Sequence, residues 1–259
     1  MFLIRNKFKI NYFLLYILFI FFCSTTFKYS LGENIYIGVA SNFSTPIKLL
    51  KENFESINDC EIFISTGSSG SLYTQIVNGA PLDIFLSADQ DLPHKLEKTS
   101  KAIKGTRFTY ATGKLVVYST KQFLFSQSFP QLLTSNKINY IGIGKPGYVP
   151  YGRAAKEVLR SLNIFKEISS KLVFGKSVNQ VFLMNYFGNL DIGFISIADF
   201  LSNNKRGKIW QIPKNLYSPI KQDAILLKNG EKKNNAILFL KFLSSERTKK
   251  DLKRFGYVF

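Results

Sequence analysis

The chain has 259 residues, 46% hydrophobic and 20% charged, with a formal net charge of +18 at pH 7. That is the composition of an ordinary globular protein, long enough for one large domain or two modest lobes with real cores. Its lysines are scattered, as in "KNGEKKNNA" and "RTKKDLKRFG", with no aromatic-interleaved basic stripe, so the charge argues against a nucleic-acid module.

At the N-terminus Arg5, Lys7 and Lys9 precede the apolar run "YFLLYILFIFFC", Tyr12 to Cys23. Twelve apolar residues fall short of the ~20 that a membrane span needs. A basic start, a short apolar middle and the small-residue exit Ser30-Leu31-Gly32 predict a secretory signal over 1–32, cleaved within several residues of Gly32, with an uncleaved N-terminal anchor as the alternative. Phe22 is too bulky for the position ahead of a lipid-modified Cys23. Removal of the leader takes away Arg5, Lys7, Lys9 and Lys28 and no acid, so +14 of the +18 remains. Cys60 is then the sole cysteine, which rules out an internal disulfide and is read as a buried or half-buried strand-edge residue.

Beyond the leader, strand-like and helix-like patterns alternate. In chain order the predicted strands are 34–39, 61–65, 83–87, 114–118, 140–143, 172–174, 192–195, 209–212 and 222–227. The predicted helices are 46–55, 70–78, 92–99, 130–133, 151–162, 178–186, 234–243 and 247–255. Such alternation implies an α/β fold with mostly parallel sheets, whose ligands gather where strands end and helices begin. No linker separates two domains, so any two lobes are joined by strands. "GKLVVYS" at 113–119 and "LYSPIKQDAILL" at 216–227 are the expected crossings, giving a first lobe over 33–115, a second over 116–216 and a return to the first over 217–259.

Hydrolytic chemistry finds little support. "GSSGS" at 67–71 misses the G-x-S-x-G spacing of a nucleophile elbow. His94, the one histidine, sits in "DQDLPHKLEK" and reads as an exposed helix start. "GIGKPGY" at 142–148 lacks the Ser or Thr that follows the lysine of a nucleotide loop. No CxxC, paired histidines or HExxH supplies a metal site. Asp83, Asp89, Asp91, Asp191 and Asp199 leave a carboxylate dyad open, although Asp83 and Asp191 open strands as turn or cap groups would.

What recurs is a strand, a turn and a helix start rich in hydroxyls or bare amides. "IYIGVASNFSTP" carries Ser41 and Asn42, with Ser44 or Thr45 as cap and Pro46 at the first helical position. "EIFISTGSSGSLYTQI" carries Ser69, read as a helix cap. "YIGIGKPGYVPYGRAAKEVL" reaches a helix at Pro150-Tyr151-Gly152, and "KLVFGKSVNQVFLM" one at Ser177-Val178. Helix starts present unpaired N–H groups and partial positive charge, and so attract anions. By count alone they remain generic.

Residue identity goes further. "VASNFSTPIKLL", "GSSGSLYTQIVNGAPLDIFLSAD", "GKLVVYS", "KPGYVPYGRAAKEVL", "NLDIGFISIADF" and the closing "RFGYVF" together resemble the periplasmic molybdate-binding proteins of ABC importers, from about Asn34 to Phe259. The block "NGAPLDIFLSAD" is the most specific. The resemblance implies a two-lobed α/β periplasmic binding protein fold, with the ligand cleft between lobes joined by strand hinges. It also implies capture of molybdate or tungstate, delivery to a membrane permease driven by a cytoplasmic ATPase, a monomer, no cofactor and no catalysis. The ligand-binding residues it implies are Ser41, Asn42 and Ser69 in the first lobe and Tyr151 and Val178 in the second, Val178 through its backbone N–H. All contact the oxygens of the oxyanion and none the metal itself. Where some members place a tyrosine in the segment matching "GFISIAD", this chain has Ser196, an additional candidate with a shorter reach. Another tetrahedral oxyanion such as sulfate, or an exported enzyme using the same cleft, remain alternatives.

Overall fold

The computed structural model describes residues 33–203 and 206–259, so the leader read at 1–32 lies outside the described residues. Two five-stranded sheets organise the chain. The first contains β1 (Ile35–Ala40), β2 (Ile62–Gly67), β3 (Ile84–Leu86), β4 (Phe108–Gly113) and β10 (Ile220–Leu226), in the order β2-β1-β3-β10-β4. The second contains β5 (Leu115–Ser119), β6 (Ile141–Gly144), β7 (Leu172–Gly175), β8 (Ile192–Ser196) and β9 (Lys208–Gln211), in the order β7-β6-β8-β5-β9. The fold is α/β and two-lobed.

Helices cover both faces of each sheet. In the first lobe these are α1 (Pro46–Glu55), α2 (Ser69–Val77), α3 (Asp91–Lys98), α7 (Asn234–Leu243) and α8 (Glu246–Lys253). In the second they are α4 (Pro150–Ser161), α5 (Val178–Tyr186) and the short α6 (Ile197–Ser202). Alternate strand residues therefore serve opposite cores. Ile84 and Leu86 join the core beneath α1 and α7, whereas Phe85 between them packs with Leu72, Ile76 and Leu96 of α2 and α3. Leu115 and Val117 face α4, and Val116 and Tyr118 face α5. This two-sided burial explains the near-continuous apolar runs in these strands.

The sheets are mixed rather than mostly parallel. The β-α-β units β1-α1-β2 and β6-α4-β7 give parallel pairs, as does β3 against β1 and β8 against β6. Strands that arrive from the other lobe are not joined to their neighbours by a crossover helix and pair antiparallel: β10 with β3 and β4, and β5 with β8 and β9. The chain leaves the first sheet at Gly113, enters the second at Leu115, and returns between Gln211 and Ile220. β4, "FTYATG", was not foreseen because its threonines and glycine dilute the strand pattern. Residues 131–134 form a 3-10 turn where a short helix was expected, and α6 is an addition.

Cys60 is half-buried ahead of β2, its thiol pKa pushed up first by burial and then by Glu55 and Asp59. Asp83 braces the first lobe, accepting from Tyr36 N at 2.8 Å and Lys233 Nζ at 2.7 Å. Among the described residues no helix is long and apolar enough to cross a membrane.

Two glycines set how closely the lobes approach. Gly70 N donates across the cleft to Tyr148 O at 2.9 Å, and a Cβ there would lie 2.8 Å from Tyr148 Cα. At Gly113 a Cβ would overlap the Tyr151 hydroxyl. Gly70→Ala is expected to push the lobes apart by backbone overlap costing about 1–3 kcal/mol. Small-angle scattering should show a larger radius of gyration with unchanged circular dichroism; identical scattering would mean that the Tyr148 loop yields freely.

Candidate functional site

Where the lobes meet, a small cavity is lined by Ala40, Ser41, Asn42, Ser68, Ser69, Ala88, Val149, Pro150, Tyr151 and Val178. All five principal positions singled out in the sequence line it. Ser41 and Asn42 lie in a 3-10 turn directly after β1, where the chain leaves the sheet for α1. Thr45 occupies the cap of α1 but its hydroxyl makes no capping bond, as does neither Ser44 nor Ser41 to that helix.

Three helices begin at the cavity, α2 from the first lobe and α4 and α5 from the second. Their first-turn amides have no partner within the helix. At α2 the cap is Ser68, not Ser69: Ser68 Oγ accepts from Ser71 N at 3.2 Å. Ser69 is the first helical residue, with its N–H unclaimed by the helix. Its Oγ accepts from Ala88 N at 2.9 Å, which leaves its own proton to donate. At α5 the Ser177 side chain accepts from Gln180 N at 3.1 Å, so the Val178 amide is left at the first position. At α4 Pro150 has no N–H, Val149 supplies no side-chain cap, and the Tyr151 amide is the first available donor.

The Tyr151 side chain is committed elsewhere. Its ring is buried in the second-lobe core, and its hydroxyl lies 3.2 Å from Gln222 Nε2 and 3.4 Å from Ser196 Oγ. Burial, ahead of every other influence, holds the phenol pKa well above its usual value, so it stays neutral. Ser196 does not line the cavity. It caps α6, its Oγ accepting from Ala198 N at 3.2 Å, and sits behind Tyr151.

No carboxylate, lysine or arginine lines the cavity. A larger groove lies at the lobe boundary and carries both signs of charge, Asp89, Asp91 and Glu157 beside Arg153 and Lys221. There Arg153 of α4 reaches across to Asp89 at 3.0 Å. His94 is on α3, half-exposed and 3.8 Å from Glu97, and is not part of the cavity wall. Among the described residues no cluster of His, Cys, Asp and Glu is arranged to hold a metal ion.

Behind the site lie Gln222, which sequence reasoning passed over, and Asp199, which it held open only as a member of a carboxylate dyad. Gln222 of β10 is fully buried and touches Asn42, Tyr110 and Tyr151. A glutamine inside the apolar run "IKQDAIL" was the available signal. Asp199 in α6 is buried, with Oδ1 accepting from Asn179 Nδ2 at 2.9 Å and Oδ2 unpartnered.

Residues 35–258 match the bacterial extracellular solute-binding protein family. The chain belongs to that family. It is 36% identical over 229 residues to the molybdate-binding protein ModA of Azotobacter vinelandii, covering 87% of this chain and 90% of that one. It is 37% identical over 227 residues to ModA of Rhodobacter capsulatus, covering 88% of each. The solved periplasmic molybdate-binding protein of Azotobacter vinelandii superposes with a TM-score of 0.83 at 34% identity, over 87% of this chain and 99% of that one.

Burial pushes the Asp199 carboxyl up to about 7, outweighing the Asn179 hydrogen bond. From about pH 4 to 7 the folded chain then holds a proton that the unfolded chain has released. Stability from this group is therefore full below the unfolded pKa and is lost as pH rises through 7, by an amount of the order of 4 kcal/mol. Asp199→Asn should match wild type at pH 4 and exceed it at pH 7.5 in urea denaturation; parallel pH profiles would mean an ionised, solvated carboxylate.

Proposed function

We propose that this solute-binding protein captures molybdate, and tungstate with it, for an ABC importer. The observation that carries this reading is the cavity between the lobes, lined by hydroxyls and helix-start amides and free of carboxylates. The oxyanion is cargo, held through its oxygens by Ser41, Asn42 and Ser69 on one side and the amides of Tyr151 and Val178 on the other.

The chemistry selects a fully deprotonated dianion. Charge-assisted hydrogen bonds contribute roughly 1.5–3 kcal/mol each, and several are needed to offset the dianion's desolvation. Phosphate usually keeps a proton near neutral pH, and a cage of donors leaves that O–H without an acceptor. Sulfate shares the charge of molybdate but has shorter bonds to oxygen, so cavity size separates the two. Ligand contacts from both lobes would stabilise the closed form about the strand crossings near Lys114 and 212–219.

In this reading 1–32 directs export and is removed, and the mature chain works in the periplasm as a monomer. It presents its cargo to a membrane permease driven by a cytoplasmic ATPase. It performs no catalysis: the hydroxyls in the cavity have no histidine or carboxylate beside them to act as base.

Calorimetric titration of the mature protein should show tight binding of molybdate and tungstate, and weak or absent binding of sulfate and phosphate. Sulfate binding as strong as molybdate would overturn the assignment. Ser69→Ala should weaken molybdate binding by ~10–100-fold. Ser68→Ala should instead lower stability by about 1 kcal/mol through loss of a helix cap; the reverse pattern would exchange their roles.

A further inference from the structure

One atom in the cavity wall breaks the donors-only rule. Asn42 is 2% exposed, and its Nδ2 gives both hydrogens away from the ligand space, to Gln222 Oε1 at 2.9 Å and Tyr257 Oη at 3.0 Å. Its Oδ1 is buried without a partner. An acceptor left in that position repels the oxygens of a dianion. The neighbouring Gln222 is equally incomplete: Oε1 accepts from Asn42 and from Tyr110 Oη at 3.0 Å, but Nε2, with two hydrogens, has only Tyr151 Oη at 3.2 Å.

We infer that Gln222 is a positioning residue that sets which end of the Asn42 amide faces the ligand, and that it couples this choice to Tyr151 of the other lobe. The inference rests on the oxyanion reading above. A half-turn of both amides exchanges their roles. Gln222 Nε2 then donates to Asn42 Oδ1 and Tyr110 Oη, and Tyr110 keeps Ser87 O, 3.4 Å away, as its acceptor. Gln222 Oε1 accepts from the Tyr151 hydroxyl, which in turn accepts from Ser196 Oγ. Asn42 Nδ2 is delivered to the anion.

Neither arrangement is fully satisfied without ligand. The observed one leaves Asn42 Oδ1 and one Gln222 N–H unmet. The rotated one leaves both Asn42 Nδ2 hydrogens unmet until an anion accepts them, and the single proton of Tyr257 shared between Asn42 O, now 2.9 Å away, and Asn42 Oδ1. An anion interacts favourably with only the rotated state and so shifts the population toward it. Because Gln222 stands on β10, the strand returning from the second lobe, the choice made at Asn42 is read by a hydroxyl that belongs to the opposite lobe.

The test combines calorimetry with side-chain amide NMR. Molybdate is titrated into wild type, Asn42→Ser, Tyr151→Phe and the double variant, each checked by thermal unfolding. Tyr151→Phe should weaken binding about five- to tenfold when Asn42 is present and less than twofold in the Asn42→Ser background. In wild type the Gln222 amide signals, assigned by their loss in Gln222→Leu, should move on saturation. An equal Tyr151→Phe effect in both backgrounds, or an unmoved Gln222 signal in molybdate-saturated wild type, overturns the relay. Absence of any molybdate binding by wild type overturns the oxyanion reading itself, and the relay with it.

Discussion

Three helix N-termini brought to one point concentrate partial positive charge that the protein leaves uncompensated. Each terminus contributes roughly half an elementary charge. The surrounding sequence removes the competitors for it. Ser68 and Ser177 cap the third amides of α2 and α5, leaving the first ones for a guest. The nearby carboxylates are answered elsewhere: Asp89 by Arg153 and Leu92 N, Asp223 by Arg107 and Thr109, and Asp199 by Asn179 and, below about pH 7, by the proton that burial makes it hold. In the proposed reading an oxyanion is the remaining partner, and it would satisfy donors from both lobes at once.

The return strand β10 supplies the other half of the design. Its pairing with β4 skips Tyr110, with Gln222 opposite Ala111 and Asp223 opposite Thr109. Successive strand residues point to opposite faces, and here two adjacent polar residues serve separate networks. Gln222 reaches Asn42, Tyr110 and Tyr151 at the lobe junction. Asp223 reaches Arg107, Thr109 and Gln90 on the first lobe's own edge. A buried amide is expensive unless paired. Its full burial beside the buried Asp223 marks a position held for geometry rather than for core packing.

Much of this was legible in the residues. The two-sided burial of both sheets gave strands such as Leu115–Ser119 and Ile192–Ser196 an unbroken apolar signature, and Pro46 and Pro150 marked helix starts. Ser41, Asn42, Ser69, Tyr151 and Val178 were chosen by resemblance, and the fold brings all five to one cavity. Strand direction was not legible, because alternation reports the β-α-β units but not the strands that run between lobes. The roles of Ser68 and Ser69 were exchanged as caps, since a one-residue shift in a helix boundary lies below what "STGSSGS" encodes. Gln222 was missed, and Asp199 was held open only as a dyad member, for a different reason: their significance lies in partners 180 and 20 residues away, Asn42 and Asn179.

Selectivity follows from what the cavity omits. The chain carries a formal net charge of +18, yet no lysine or arginine lines the site. A flexible ammonium group would attract any small anion and adapt to its size and protonation. Amides fixed at helix starts, and hydroxyls held by bonds such as Ser69 Oγ to Ala88 N, keep their positions. They reward one radius and one charge state. The excess positive charge on the outer surface then raises the encounter rate with anions, while the neutral interior decides which of them remains.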